Sequence, residues 1–179
     1  MSEFCDLALK LSAERVGSGS LRKLSSVLDE FSSKDFEVGF SVCRVDEEHR
    51  ASDRLSVWRD GAFLPSCDRG EVVGSVHSHK VHEKSCVFSD VDWLTSLRNG
   101  LEFMCLLCNE GEGWKVKCVG LPERGSEEWE NAIAEVEEVK EEVEAVEKES
   151  NLEGFLSELE NRLRNIESKY AKWKCEKSI

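Results

Sequence analysis

Two periodicities divide this chain. Apolar residues alternate with a period of two in short runs between positions 36 and 119, while before and after they recur at three and four, as on one helix face. Leu21, Leu24, Leu28 and Phe31, capped by Ser20, predict a helix of about three turns. Residues 3–16 fit either element: Leu7, Leu9 and Leu11 alternate, but Phe4, Leu7, Ala8 and Leu11 also form a helical stripe. Val38, Phe40 and Val42 predict one face of a strand over 36–43, with Glu37, Gly39 and Ser41 on the other. A short strand over 54–58, a hairpin turn at Asp60-Gly61 and a loop from Pro65 to Gly70 follow. Val72 to His79 reads as a strand, Ser89 to Asn99-Gly100 as a helix, and Leu101 to Cys108 as a buried strand. Trp114 to Val119 reads as the final strand, with Trp114, Val116 and Cys118 inward, and Gly120-Leu121-Pro122 closes a domain of residues 1–122.

The tail is patterned differently. Trp129, Ala132, Val136, Val139, Val143 and Val146 form a heptad seam, and Leu152, Leu156, Leu159, Leu163, Ile166, Tyr170 and Trp173 form a second one. The registers do not join, and Ser150-Asn151-Leu152-Glu153 has the form of a capping box that starts a new helix. Residues 126–177 therefore predict either a helical hairpin or a continuous coiled coil with a stutter near Ser150. The hairpin would fold on itself; the coiled coil would form a homodimer or bind a partner protein. The predicted class is α+β (α/β-like), a curved mixed sheet flanked by helices, with this helical appendage.

Charge sharpens the division. The 179 residues carry a net charge of -13, of which residues 126–150 hold -9 and residues 151–179 hold +1, leaving -5 for the rest. Such acidity argues against nucleic acid as a partner. No run approaches the length of a membrane span, and the first residues lack the basic start and apolar stretch of a secretion signal, so a cytoplasmic protein is expected. In that setting the eight scattered cysteines predict reduced thiols serving as small buried hydrophobes. Cys105-Leu106-Leu107-Cys108 lies within an apolar run and has no second pair at metal-site spacing, which favours a core strand.

The chemistry concentrates around Val76-His77-Ser78-His79. On a strand, His77 and His79 project from the same face. A hydrolytic zinc site takes three ligands from His, Asp and Glu and leaves a fourth position for water, and Asp92, in the first turn of the next helix, could supply the third. Taken alone, Ser89-x-x-Asp92 is also a helix N-cap followed by an acidic first turn. His82 and Cys86, in the loop between, are expected to stay out of the ligand set.

Together, Gly74-Ser75-Val76-His77-Ser78-His79 and Ser89-x-x-Asp92 resemble the core motif of the JAMM (MPN-plus) metalloproteases, zinc isopeptidases that cleave ubiquitin-like proteins from their conjugates. The resemblance spans roughly residues 20–120. It implies that His77, His79 and Asp92 bind one Zn2+, that Glu37 is the general base, and that Ser89 helps hold the oxyanion. The implied substrate is a ubiquitin-like protein's C-terminal glycine joined to a lysine. The chain departs from the family pattern in a longer loop from Lys80 to Phe88, in Lys80 itself where proline is common, and in Phe40 where glycine is usual. Glu71 shares the histidine face by parity, but six residues at about 3.3 Å each put it roughly 20 Å from His77, which favours Glu37. The extended substrate tail could dock along residues 46–50 or 80–88. The alternatives are a non-catalytic MPN-like scaffold that binds partners through its tail, and a metallopeptidase acting on a sulfur-carrier protein.

Overall fold

A computed structural model describes residues 2–59, 64–81, 86–148 and 152–179. Asp60-Gly61, His82 and the capping box from Ser150 lie wholly or partly outside them. The described elements are α1 (Ser2–Arg15), α2 (Leu21–Ser33), β1 (Glu37–Val45), β2 (Glu48–Ala51), β3 (Ser56–Trp58), β4 (Glu71–Ser78), α3 (Asp90–Arg98), β5 (Phe103–Asn109), β6 (Trp114–Gly120), α4 (Glu127–Lys148), α5 (Leu152–Tyr170) and β7 (Lys174–Ser178). The chain is thus mixed α and β, as expected, and the ambiguous N-terminal segment is a helix. No helix among the described residues is long and apolar enough to cross a membrane.

The strands form one mixed sheet in the order β2-β1-β4-β5-β6-β7, with β3 also pairing with β1. Only β4 and β5 run parallel, and α3 makes the crossover that such a pair requires. Alternating side chains send each strand's residues to two cores. On one face, Phe40, Val76, Phe103, Cys105 and Val116 pack under α1 and α2; on the other, Met104, Leu106, Cys108 and Val119 pack under α3, α4 and α5. A three-layer sandwich results.

The tail is part of this sandwich. Ala132, Val136 and Val139 of α4 and Leu159, Leu163 and Ile166 of α5 are buried in the same core as Phe88, Trp93 and Leu106. Ion pairs Lys169–Glu135 and Arg162–Glu142 advance along one helix as they retreat along the other, so α4 and α5 are antiparallel. The heptad seams therefore serve the chain's own core, and the division at residue 122 does not interrupt it. Two expectations fail here. Helix α5 ends at Tyr170, so Trp173 is not on it, and β6 is not the last strand because β7 adds beside it. Trp173 instead stacks on Phe4 with ring centroids 4.5 Å apart. An aromatic at heptad spacing satisfies a strand-side pocket as well as a helical seam.

The thiol expectation also fails: all eight cysteines are paired, as Cys5–Cys175, Cys43–Cys67, Cys86–Cys108 and Cys105–Cys118. Partners separated by up to 170 residues are joined by the topology, which spacing in sequence does not display. Cys105 and Cys108, three apart on a strand, face opposite sides of the sheet and join different bridges. In the chain-entropy view the Cys5–Cys175 bridge, which closes nearly the whole chain, would stabilise the fold by about 5 kcal/mol.

One buried ion pair fastens the tail to the sheet. Lys117 of β6 is 4% exposed, and its Nζ lies 2.5 Å from Glu167 of α5 and donates to the Cys86 carbonyl at 2.6 Å. Removing one partner strands a buried charge, whereas replacing both with apolar residues of similar volume does not. Glu167→Ala is therefore expected to lower stability by about 3–5 kcal/mol in chemical denaturation, and Lys117→Met with Glu167→Leu to restore it to near wild type. A single-variant loss below about 1 kcal/mol would mark the pair as effectively solvated.

Candidate metal centre

The site lies where β4 ends and α3 begins, at the carboxyl end of a parallel strand, the usual place for ligands in open α/β sheets. His77 of β4 and His79, one residue past its end, both look toward α3. Gly39 of β1 stands directly opposite His77, where an added Cβ would meet the His77 Cβ at 3.2 Å. The absence of a side chain there makes room for the imidazole. Two residues before Gly39, Glu37 falls on the same face, and it lines one cavity with His77, Asp92, Thr95 and Ser96. The register is held locally by the Val38 N–H, which donates to Ser78 Oγ at 2.9 Å.

Asp92 arrives by a separate route. Ser89 caps α3: its Oγ accepts from the Asp92 N–H at 3.0 Å, and the Asp92 carboxylate accepts from the Ser89 N–H at 2.8 Å. This capping box fixes the carboxylate against the two rings. Asp92 Oδ1 is 3.1 Å from His77 Nε2, Asp92 Oδ2 is 3.3 Å from His79 Nε2, and the two Nε2 atoms are 3.3 Å apart. Both histidines are 12% exposed in their side chains and Asp92 is 6% exposed, with the Phe88 ring 6.3 Å from His77 forming part of the wall.

Three donors of the types zinc prefers therefore converge within 4.8 Å of one another from two rigid elements. The two imidazole Nε2 atoms face each other and one Asp92 oxygen each, so a cation between them and the carboxylate would be within reach of all three groups. Burial alone would push the Asp92 carboxyl up, but the charges and hydrogen bonds of His77 and His79 outweigh it and hold the group well below the usual range.

The other sequence candidates fall elsewhere. Glu71 sits at the far end of β4 and pairs with Arg44 at 3.3 Å. In the 46–50 segment, expected as a docking edge, Glu48 to Arg50 pair with Val45 to Cys43 of β1, about 13–20 Å along the strand from Gly39. Cys86 is bonded to Cys108 and cannot be a ligand; His82 is outside the described residues. Sequence reasoning missed Thr95 and Ser96, which line the cavity one helical turn beyond Asp92 and carry no motif. No family model, curated protein or solved structure matches this chain.

In the metal-free protein the depressed Asp92 carboxyl has a definite pH signature. Its contribution to stability is complete above the ordinary value of 3.8 and is lost as pH falls through the lower folded value. Asp92→Asn is expected to remove that component, so the variant's acid unfolding curve should be flatter below pH 3.8 than the wild type's. Parallel curves would show that the carboxylate is not held by the histidines.

Proposed function

We propose that the protein is a zinc-dependent isopeptidase of the JAMM type, with an MPN-like arrangement of sheet and helices around the site. The observation that carries this is the convergence of His77, His79 and Asp92 beside a cavity that Glu37 also lines. A zinc ion held by those three residues would polarise a scissile carbonyl and lower the pKa of a water molecule. Glu37, which lines the same cavity, would act as the base that takes a proton from the attacking water and passes it to the leaving lysine amine. Ser89 Oγ accepts the Asp92 N–H, which leaves its own proton to donate toward an oxyanion.

The substrate proposed is an extended C-terminal tail of a ubiquitin-like protein joined to a lysine. Its docking edge is β3, which pairs with β1 beside Glu37 and presents Val57 at 40% and Trp58 at 53% exposure. An extended peptide can add to such an edge by main-chain hydrogen bonds. A homodimer or partner protein at residues 126–177 would meet a largely acidic outer surface, because the seam residues from Ala132 to Val143 and from Leu159 to Tyr170 pack in the chain's own core. The proposed location is the cytoplasm.

Metal analysis of the purified, disulfide-bonded protein tests the centre, with one zinc per chain expected in wild type and none in His77→Ala or Asp92→Ala. Glu37→Gln should keep the zinc and lose about 10²–10⁴-fold in cleavage of a ubiquitin-like isopeptide. Folded wild type that refuses zinc would overturn the enzyme reading; zinc-loaded protein that cleaves only short C-terminal glycine extensions would move the substrate to a sulfur-carrier class.

A further inference from the structure

On the opposite face of the sheet four cysteines form a second cluster. Cys105 of β5 is directly opposite Cys118 of β6, and Cys118 is directly opposite Cys175 of β7, so the three make one row across adjacent strands. Directly paired residues project from the same face. Cys5 of α1 lies over that row, bonded to Cys175, while Cys105 is bonded to Cys118. The sulfurs of Cys5, Cys118 and Cys175 all lie within 4.8 Å of one another. Two bridges that abut in this way differ from Cys43–Cys67 and Cys86–Cys108, neither of which belongs to a three-sulfur group among the described residues.

We propose that Cys5, Cys105, Cys118 and Cys175 form a redox-controlled tetrathiolate site for a soft divalent metal such as zinc, with the two disulfides as its oxidised, metal-free form. Zinc–sulfur bonds of about 2.3 Å place the corners of a tetrahedron about 3.8 Å apart; the sulfurs of Cys5, Cys118 and Cys175 lie within 4.8 Å of one another, and Cys105 is bonded to Cys118. The anchors need little movement, since three are fixed by strand register and the fourth by a helix packed on it. Phe4, Phe103 and Trp173 pack in the same core as these cysteines, with Phe4 4.9 Å from Phe103 and 4.5 Å from Trp173, and Cys175 is the one of the four that is only partly buried. Cys5, Cys105 and Cys118 are each no more than 1% exposed.

The chemistry balances with a dithiol as reductant. Each disulfide takes two electrons and two protons, and the dithiol is oxidised to its own disulfide. The four thiols then release four protons as they bind one divalent cation, giving a centre of net charge -2. In either state the cluster joins the N-terminal helix to the last strand, covalently when oxidised and through the metal when reduced. The site is independent of the histidine centre, because Cys105 and Leu106 alternate and it is Leu106 that stands beside His77.

Cobalt(II) reports sulfur ligation through an intense thiolate-to-metal charge-transfer band. The full chain carrying His77→Ala, which disables the histidine centre, is unfolded in denaturant with reductant and diluted without oxygen, with and without cobalt. One equivalent of cobalt with that band is expected, lost on adding Cys5→Ser or Cys175→Ser and kept on adding Cys67→Ser. Absence of the band from the reduced chain after dilution with cobalt, whether or not it has refolded, would overturn the proposal, as would equal loss in Cys67→Ser. Circular dichroism on the same samples should show the reduced chain refolding more completely with the metal than without it.

Discussion

The antiparallel pairing of β1 with β4 is the constraint on which the candidate site depends. It sets Gly39 against His77 and so makes space for one imidazole, and it carries Glu37 onto the face from which both histidines project. A slip of one residue would send Glu37 to the core under α1 and α2, where a lone carboxylate could not be satisfied. The register is correspondingly well fixed. Val38 and Phe40 are buried on the far face, and the Val38 N–H is bonded to Ser78. Glu37, His77 and His79 thus owe their common face to hydrophobic packing on the side of the sheet they do not occupy.

Asp92 joins them through a different kind of interaction. Its carboxylate closes the capping box of α3 and also faces the two rings, so one group serves both a helix terminus and the site. The two roles reinforce each other. The cap orients the carboxylate without help from a metal, and the positive end of the helix dipole favours its ionised form. A ligand prepared in this way loses little side-chain entropy when a cation binds. The same geometry explains why Ser89-x-x-Asp92 admits both an N-cap and a site meaning in sequence: here it is an N-cap, placed at the end of the histidine strand.

What could be read from the sequence follows the range of the interactions involved. Helix α2, strands β1 and β4 to β6, and the shared face of His77 and His79 are local consequences of periodicity, and they stand where the pattern put them. The conjunction of Glu37 with the histidines is legible only through the family resemblance, with strand length setting aside Glu71, the glutamate that shares the histidine face by parity. Long-range features were invisible. The disulfide between Cys5 and Cys175 joins the two ends of the chain, and β7 is a short, largely polar strand whose partner β6 decides its conformation. The helical spacing of Tyr170 and Trp173 ran past the true end of α5, because the heptad count registers apolar residues without registering what buries them.

The tail offers the sharpest case of this difference. By charge and by heptad it looks like a separate appendage, yet it closes the core that walls the site. Lys117 connects the two: its ammonium is held by Glu167 of α5, donates to the Cys86 carbonyl, and lies 5.1 Å over the Phe88 ring. Phe88 in turn stands beside His77 and immediately before Ser89. A helix from the far end of the sequence thereby fixes the chain where the loop after His79 re-enters the site. The Cys86–Cys108 bridge pins the same point to β5. The chain that follows residues 82–85 is thus anchored at Cys86 and Phe88. The position of Ser89 and Asp92 is then governed by packing against the tail rather than by the loop that precedes them.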